Sequence, residues 1–235
     1  MNFRVVWDQL EDCPYLDGRQ ARLPLRVPSR MLTAEEFDRA LEGGYRRSGR
    51  MLYRTECPGC AECRPLRVPV ARFRPTTSQR RAWRKNVSEV QIRVGPPELT
   101  PERLNLYNRH KLERGLSRTE EPLGATAYRA WLVDTCVDTR EVRYSVDDRL
   151  IAISILDFGR TSVSSVYHYF DPDESRRSLG VYSALAEIAW CNALGIEWYY
   201  LGYYVADCPR LSYKGTYFPH QRKVDGQWQE FAGEP

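Results

Sequence analysis

The sequence predicts a mixed α+β fold, because strand-like and helix-like segments succeed one another along a chain of 235 residues. Three strands in a row are predicted by alternating apolar residues with turn residues between the runs, over 141–146, 150–158 and 161–170. A helix follows over 181–194, where apolar residues recur on one face. An aromatic strand over 196–203 completes the series.

This order of strands, helix and strand suits acetyltransferase-like (GNAT-type) folds, and we expect that architecture for the C-terminal part of the chain. The best linker candidate is Gly95-Pro96-Pro97. The expected organisation is therefore a small N-terminal domain over 1–95, containing cysteines and a basic segment, packed against an acetyltransferase-like domain over 96–235.

Shorter elements are predicted around these. Thr33 and Glu36 form a capping box that begins a helix, and Gly43-Gly44 ends it. Alternation predicts a strand over 66–73. Thr100 caps a helix that runs to about Arg114, and a shorter helix is predicted over 128–133.

Composition excludes several classes of protein. An apolar fraction of 42% and a charged fraction of 28% are ordinary for a globular protein and argue against disorder and fibres. No apolar run approaches the ~20 residues of a membrane helix, and the first ten residues lack an apolar signal core. We therefore expect no membrane association and a cytoplasmic location, with the seven cysteines as free thiols or metal ligands.

The net charge of +4 is unevenly distributed. Between Cys63 and Ser88 there is no acidic residue, and the segment holds eight basic ones: Arg64, Arg67, Arg72, Arg74, Arg80, Arg81, Arg84 and Lys85. Arginine makes bidentate phosphate contacts, and the interleaved aromatic residues offer stacking surfaces. The segment favours contact with a nucleic acid or another acidic ligand over the alternative of a solvated face.

Three cysteines recur at intervals of three in Cys57-Pro-Gly-Cys60-Ala-Glu-Cys63, and Cys13 is a candidate fourth thiol. Thiolates with this spacing converge on a soft metal, so Zn²⁺ or an iron–sulfur cluster is one interpretation. The other is a set of buried small thiols at a turn shaped by Pro58 and Gly59, since no second Cys-x-x-Cys pair is present.

The segment 171–180 joins a predicted strand to the long helix. A helix N-terminus attracts phosphate or a developing oxyanion. Arg177 and Gly180 fit the loop with which acetyltransferases hold the coenzyme A pyrophosphate, but Tyr182 stands where Gly or Ala is usual. The alternative is a simple N-cap by Asp173 or Ser178.

An aromatic cluster spans 198–204 and continues through 213–218. Core packing accounts for most of these side chains, while Tyr203 and Lys214 are candidates for a site. A phosphate-cradling Gly-Lys-Ser/Thr loop and a Gly-x-Ser-x-Gly elbow are both missing from the sequence, and its three histidines are isolated.

Five stretches resemble the aminoacyl-tRNA–protein transferases of the N-degron pathway, and in particular the branch of bacterial aspartate/glutamate leucyltransferases, relatives of eukaryotic arginyltransferases. They cover 13–19, 44–50, 57–70, 73–86 and 170–214. The most specific are the Ser78–Asn86 block and the 171–180 loop. Asp17 replaces a proline that is usual in the first stretch.

The resemblance implies transfer of an amino acid from charged tRNA to the α-amine of a protein that begins with Asp or Glu. The expected partners are an aminoacyl-tRNA and such proteins, and the expected state is a monomer. The chemistry requires no ATP or other cofactor, because the aminoacyl ester is already activated. The eukaryotic relatives carry an iron–sulfur cluster, which makes Cys13, Cys57, Cys60 and Cys63 candidate ligands.

Roles follow as hypotheses. The tRNA or the acidic first residue is expected to contact Arg80, Arg81, Arg84 and Lys85. The charged 3′ end is expected to lie on Arg176, Arg177, Ser178 and Gly180. Asp171 or Glu174 is expected to orient or deprotonate the amine. Tyr203 and Lys214 are expected to line the reaction centre.

Two other classes stay open: a coenzyme A acetyltransferase, which Tyr182 disfavours, and a non-enzymatic nucleic-acid-binding protein built around a metal knuckle. The sequence also leaves the donor open between leucine and arginine. An arginine pocket needs acidic residues, for which the candidates are Asp171, Asp173, Glu174, Glu187 and Asp207.

Overall fold

The computed structural model describes residues 2–116 and 121–233. Its first part consists of short elements: β1 (Phe3–Trp7), β2 (Leu10–Asp12), β3 (Gln20–Arg22), β4 (Leu25–Pro28), α1 (Ala34–Glu42), β5 (Arg46–Ser48) and β6 (Met51–Tyr53). Four strands form a small sheet in the order β1-β4-β6-β5, and β2 pairs with β3. Helix α1 begins at the predicted capping box, where Thr33 Oγ1 accepts the Glu36 N–H at 3.2 Å and the Glu36 carboxylate accepts the Thr33 N–H at 2.9 Å.

The remaining elements build the larger part of the molecule. They are β7 (Arg64–Pro69), α2 (Thr77–Asn86), β8 (Gln91–Gly95), α3 (Pro101–Glu113), α4 (Ala125–Tyr128), β9 (Asp138–Val146), β10 (Arg149–Phe158), β11 (Ser162–Phe170), α5 (Leu179–Ala193), β12 (Trp198–Tyr204), α6 (Pro209–Ser212), β13 (His220–Val224) and β14 (Gln227–Phe231). Eight strands form one sheet in the order β14-β13-β7-β12-β11-β10-β9-β8. Within the described residues, β11 and β12 pair in parallel and the other neighbours are antiparallel.

The predicted succession of strands, helix and strand is confirmed as β9, β10, β11, α5 and β12. The strand predicted over 66–73 is shorter at its C-terminal end. It stops at Pro69, which has no N–H for a further ladder bond, and Val70–Arg72 form one 3₁₀ turn. The helix predicted over 128–133 is α4 followed by one wider π turn over Arg129–Val133.

The large sheet takes strands from both sides of residue 95. Strands β7 and β8 precede the linker candidate and lie in the same sheet as the later strands. The domain boundary expected between residues 95 and 96 stays a prediction. In the structure, strand pairing joins the two sides of this boundary, because β8 pairs with β9 and β7 pairs with β12.

Two clusters of buried side chains hold the helices to this sheet. Helix α5 packs Leu179, Tyr182 and Ile188 against sheet residues such as Leu156 and Val163. A second cluster joins α3 to the sheet, and it contains Leu106, Tyr107, Tyr128, Leu132, Ile153, Ile155 and Tyr169. Helices with the length and apolar character needed to cross a bilayer do not occur in the part of the chain described here.

Candidate active site

A cavity of about 800 Å³ opens where β11 and β12 separate. The two strands pair only from Ser162 to Ser164 against Trp198 to Tyr200, and beyond these residues each lines one side of the cavity. On the other side of β12, a register shift between Tyr200 and Gly202 interrupts the regular pairing of β12 with β7. Such irregularities commonly re-aim side chains beside functional sites.

One end of the cavity is the N-terminus of α5. Ser178 adopts the left-handed conformation, with φ of 55°, and its carbonyl oxygen accepts the N–H groups of Val181 and Tyr182. A methyl group placed on Gly180 would contact His168 Cδ2 at 3.8 Å, so this residue leaves open space beside the imidazole. A helix N-terminus with open space in front of it can receive a partial negative charge.

His168 and Glu187 supply polar atoms to the cavity wall. His168 Nδ1 lies 2.9 Å from Ser154 Oγ, while its Nε2 is buried without a partner among the described residues. Burial, with the nearby His110 and Arg114, lowers the His168 pKa to about 3, so the ring is neutral at neutral pH. Glu187 accepts hydrogen bonds from Tyr199 Oη and from Tyr144 Oη at 2.8 Å, and burial raises its pKa.

Arg46 and Lys214 bound the other end. Arg46 extends from β5 into the fork of the two strands, where Nη1 donates to Ser164 Oγ at 3.2 Å and Nη2 to the Ser165 carbonyl at 2.5 Å. Lys214 Nζ donates to the Tyr203 carbonyl at 3.0 Å. Burial, reinforced by the charge of Arg46, lowers the Lys214 pKa to about 7. The two cations therefore sit together at the wall of the cavity.

Some of the predicted site residues line the cavity and others do not. Tyr203, Lys214, Ser178 and Gly180 line the cavity. Asp171 and Glu174 are not among its lining residues, and they remain predictions as catalytic groups.

The carboxylates of Asp171 and Glu174 are engaged in ion pairs. Asp171 contacts Arg109 Nη1 at 3.0 Å and Arg149 Nη1 at 2.7 Å. Glu174 pairs with Arg149 and, at 2.7 Å, with Arg177 Nε. Burial raises the pKa of Glu174, but these two arginines outweigh it, so the net pKa is lowered. In this arrangement both carboxylates hold the loop that precedes α5.

The C-terminal end of α2 lies beside that loop. Lys85 Nζ donates to the Arg176 carbonyl, and Arg177 also pairs with Glu89 at 2.7 Å. Arg80 donates to the Pro75 carbonyl at 2.6 Å. The side chains of Arg81 and Arg84 are exposed and have no partner within the described ranges. The basic helix α2 thus adjoins the 171–180 loop, which in turn leads into α5 at the cavity.

The candidate metal ligands do not form a metal centre in the described part of the chain, where no group of three or more His, Cys, Asp or Glu side chains is placed to hold an ion. Cys57 Sγ accepts the Arg22 N–H at 3.3 Å, and Cys60 Sγ accepts from Arg19 Nη1 at 3.4 Å. Burial, with the neighbouring Cys57 and Cys13, raises the Cys63 pKa to about 12. A metal on Cys13, Cys57, Cys60 and Cys63 therefore stays a prediction.

Sequence reasoning missed Arg46 and gave Glu187 only as one of several acids. Arg46 had one signal, since it lies in the 44–50 stretch that resembles the family, but its contacts on β11 lie 118 and 119 residues away. Glu187 had one signal, since it is a single carboxylate within an otherwise apolar stretch of α5. Tyr182, which disfavours a coenzyme A site, has its ring buried between those of Trp83 and Tyr144.

Comparisons with known proteins cover nearly the whole chain. Residues 11–81 match the family model for the N terminus of arginine-tRNA-protein transferase, and residues 102–224 match the model for its C terminus. An aspartate/glutamate leucyltransferase of Acinetobacter baumannii is 36% identical over 218 residues, 93% of this chain and 80% of that protein. One of Chromobacterium violaceum is 34% identical and covers 92% of this chain and 89% of its own length.

Solved structures with a partly similar backbone include L-PGS from Bacillus licheniformis, with a TM-score of 0.48, 10% identity, and coverage of 84% of this chain and 69% of that one. FemX has a TM-score of 0.46, 7% identity, and coverage of 83% and 79%. Scores this low do not establish a shared fold. The sequence matches, in contrast, extend over both parts of one family, and the chain therefore belongs to the arginine-tRNA-protein transferase family.

Proposed function

We propose that this protein is an aminoacyl-tRNA–protein transferase that moves leucine from charged tRNA to the N-terminal Asp or Glu of proteins, which marks them for N-degron degradation. The observation that carries this proposal is the identity of 36% to an aspartate/glutamate leucyltransferase over 93% of the chain. The cavity supports it, because it holds a helix N-terminus, a neutral imidazole and two cations in one space.

An acetyltransferase-like fold of the C-terminal part belongs to the same proposal. Its support is the parallel pairing of β11 and β12, which is limited to three residue pairs before the strands diverge. Helix α5 begins beside the resulting gap. In this position its N-terminal N–H groups could bind an acyl donor that enters the gap. The buried Tyr182 supports a donor other than coenzyme A.

The proposed reaction is aminolysis of an ester. The nitrogen of the acceptor's α-amine attacks the aminoacyl carbonyl carbon, a C–N bond forms, and the C–O bond to the terminal ribose breaks. The amine loses one proton and the ribose oxygen gains one, so no ATP, oxidant or cofactor is consumed. The N–H groups at the start of α5, near Ser178 and Gly180, would stabilise the oxyanion that develops on the carbonyl.

The remaining groups position the reactants. His168 Nε2, neutral and unpartnered, is available to hydrogen-bond the amine or the ribose hydroxyl. Tyr203 and Lys214 form the wall opposite. Asp171 and Glu174 act by fixing the loop, through their ion pairs with Arg149. The enzyme thereby supplies orientation and electrostatic support to an ester that is already activated.

The basic surface of α2 would receive the tRNA. Arg81 and Arg84 are exposed and free to contact phosphates, and Arg80, Lys85, Arg176 and Arg177 lie along the same surface. Arginine is well suited to phosphate through its bidentate geometry. The position of α2 beside the N-terminus of α5 would bring the charged 3′ end toward the cavity, since Lys85 contacts the loop directly.

The cavity favours leucine over arginine as the transferred residue. An arginine donor needs an acidic side chain opposite its guanidinium. Among the acids considered from the sequence, Glu187 lines the cavity, and both of its oxygens already accept tyrosine hydroxyls. Apolar walls such as Leu179 and Leu201 suit an aliphatic side chain.

A cytoplasmic location and a monomeric state complete the proposal. The cytoplasm holds the pool of charged tRNA on which the reaction depends. Light scattering on the purified chain measures the oligomeric state, and metal analysis of the same preparation tests whether the N-terminal cysteines retain zinc or iron.

The test is a comparison of donors. The purified protein is incubated with a peptide that begins with Asp and with either Leu-tRNA or Arg-tRNA, and the product is weighed by mass spectrometry. Addition of leucine supports the proposal, and addition of arginine alone would reassign the donor. Binding of uncharged tRNA without any transfer would favour the nucleic-acid-binding alternative.

A further inference from the structure

Two cations share one small volume at the inner end of the cavity. A methyl group placed on Gly202, whose φ is +102°, would lie 3.2 Å from Arg46 Nη2 and 3.2 Å from Lys214 Nζ. The two nitrogens are therefore separated by at most twice this distance, which the two oxygens of one carboxylate can bridge. Gly202, Arg46 and Lys214 all line the cavity.

Neither cation has a carboxylate partner within residues 2–116 and 121–233. Arg46 donates to Ser164 and to the Ser165 carbonyl, and Lys214 to the Tyr203 carbonyl, so both contact neutral oxygens only. Two buried arginines outside the cavity do face acids: Arg47 lies 2.7 Å from Asp157 and Arg103 lies 2.8 Å from Glu141. Two neighbouring cations without an anion are unfavourable in the free protein, and a bound anion would relieve their repulsion.

We propose that Arg46 and Lys214 bind the side-chain carboxylate of the acceptor's N-terminal Asp or Glu, and that this contact sets the acceptor specificity of the transferase. The inference rests on the proposed function. A guanidinium and an ammonium together make charge-assisted hydrogen bonds to a carboxylate. The amide side chain of Asn or Gln carries no negative charge and makes only weaker, neutral hydrogen bonds to the same groups.

The location favours a peptide carboxylate over a tRNA phosphate. Tyr15, Tyr53 and Tyr203 surround the two cations, and the rings of Tyr53 and Tyr203 meet at 6.3 Å between centroids. This end of the cavity is separate from the exposed basic surface of α2. A bulky nucleotide backbone fits an open surface better than a recess walled by aromatic rings.

The spacing along β11 is consistent with the reaction. Arg46 contacts Ser165, and His168 lies three residues further along the strand, a span of about 10 Å. An acidic side chain held at Arg46 and Lys214 would direct the α-amine of the same residue along β11, toward His168 and the start of α5. Recognition and chemistry would thus lie within the length of one residue, because the same residue carries the bound carboxylate and the reacting amine.

The experiment compares matched peptides that differ by one atom type at the first side chain, Asp against Asn and Glu against Gln. The variants are Lys214→Met, Lys214→Arg and Arg46→Gln. Lys223→Met is the control, because Lys223 is also a half-buried lysine that donates to a backbone carbonyl, that of Glu42, but lies outside the cavity. Circular dichroism checks that each variant is folded.

We expect Lys214→Met and Arg46→Gln to lower kcat/KM for the Asp and Glu peptides by about ten- to a hundredfold. Transfer to the Asn and Gln peptides should change little, so the preference for the acid collapses. Lys214→Arg should restore much of the preference for acidic peptides, and Lys223→Met should behave like the wild type. KM for Leu-tRNA should stay constant in every variant.

An equal loss on acid and amide peptides in every folded variant would overturn the inference, since it indicates a general structural role. A raised KM for Leu-tRNA with an unchanged acid preference would overturn it in favour of a phosphate site. A wild type that transfers nothing to any peptide would refute the proposed function, and this inference with it.

Discussion

Asn86, at the end of α2, donates its side-chain amide to the carbonyl oxygen of Arg177, with 2.8 Å between the two heavy atoms. The same amide nitrogen donates to the Ala82 carbonyl at 2.8 Å, and the side chain is fully buried. This contact ties the proposed tRNA-binding helix to the loop that opens onto the cavity. In the proposed function, this contact would connect phosphate binding on α2 to positioning of the 3′ end.

Replacement of Asn86 by Asp should weaken both folding and transfer. The carboxylate has nearly the same size but cannot donate, so two buried carbonyl oxygens lose their partner. We expect a loss of about 1–3 kcal/mol in the free energy of unfolding. Urea denaturation and transfer kinetics measure the two effects, and Asn192→Asp, on the exposed side of α5, is the control. A variant as stable and active as the wild type would show that the contact is dispensable.

Replacement of both Arg81 and Arg84 by Ala should raise KM for charged tRNA without unfolding the protein, because neither side chain has a partner in the described part of the chain. Loss of two phosphate contacts should also reduce the slope of log affinity against log salt by about 1.5. Filter binding across a salt series measures it. The exposed Arg4 and Arg39, replaced together, serve as a control of equal charge change. An unchanged slope of log affinity against log salt would show that α2 does not contact tRNA phosphates.

Glu174 should make stability depend on pH in the acid range. Its pKa is lowered, because Arg177 and Arg149 outweigh the effect of burial. The ionised carboxylate therefore contributes stability above its unfolded pKa of about 4.3, and this contribution is lost as pH falls through the lower folded value.

Glu174→Gln should be less stable than the wild type at pH 7, by about 1 kcal/mol because the pair is partly exposed. The difference should shrink toward pH 3. Thermal melts at several pH values measure this, with the exposed Glu11→Gln as control. A difference that stays constant with pH would contradict the assignment.

The titration of Lys214 should make the rate of transfer to acidic acceptors fall as pH rises above neutral. Its pKa is lowered to about 7, chiefly by burial and then by Arg46, while Cys208 acts in the opposite direction. The charged form that binds a carboxylate is present below this pKa and is lost as pH rises through it. The kcat/KM profile reports the free enzyme, so its alkaline decline should follow this pKa, while substrate binding should move the midpoint of the kcat profile upward. In Lys214→Arg, which keeps its charge, the decline of kcat/KM at high pH should disappear, and an unchanged pH profile would contradict the role.

The sequence carried clear signals for the elements that surround the cavity. Strands β9 to β12 and helix α5 follow from periodicity and turn residues. Helix α2 was missed as a helix, because only Ala82 and Trp83 are apolar among its ten residues. Its signal was the capping box of Thr76 and Gln79, which the structure forms in both directions.

The C-terminal hairpin was also missed, although Asp225-Gly226 is a strong hairpin signal and both residues have positive φ. Lys214 was recognised from its aromatic neighbours and lies at the cavity. Its companion Arg46 lies in the 44–50 stretch, but their proximity could not be predicted, because it depends on how β5 meets the fork of β11 and β12. Local propensity contains no information about such a long-range contact.

The most direct measurement offers the purified protein labelled Leu-tRNA together with equal amounts of four peptides, which begin with Asp, Glu, Asn and Ala and are otherwise identical. Mass spectrometry then identifies the modified peptides. The account predicts a single added leucine on the Asp and Glu peptides and little or none on the other two. Leucine on all four peptides alike, or on none, would contradict it.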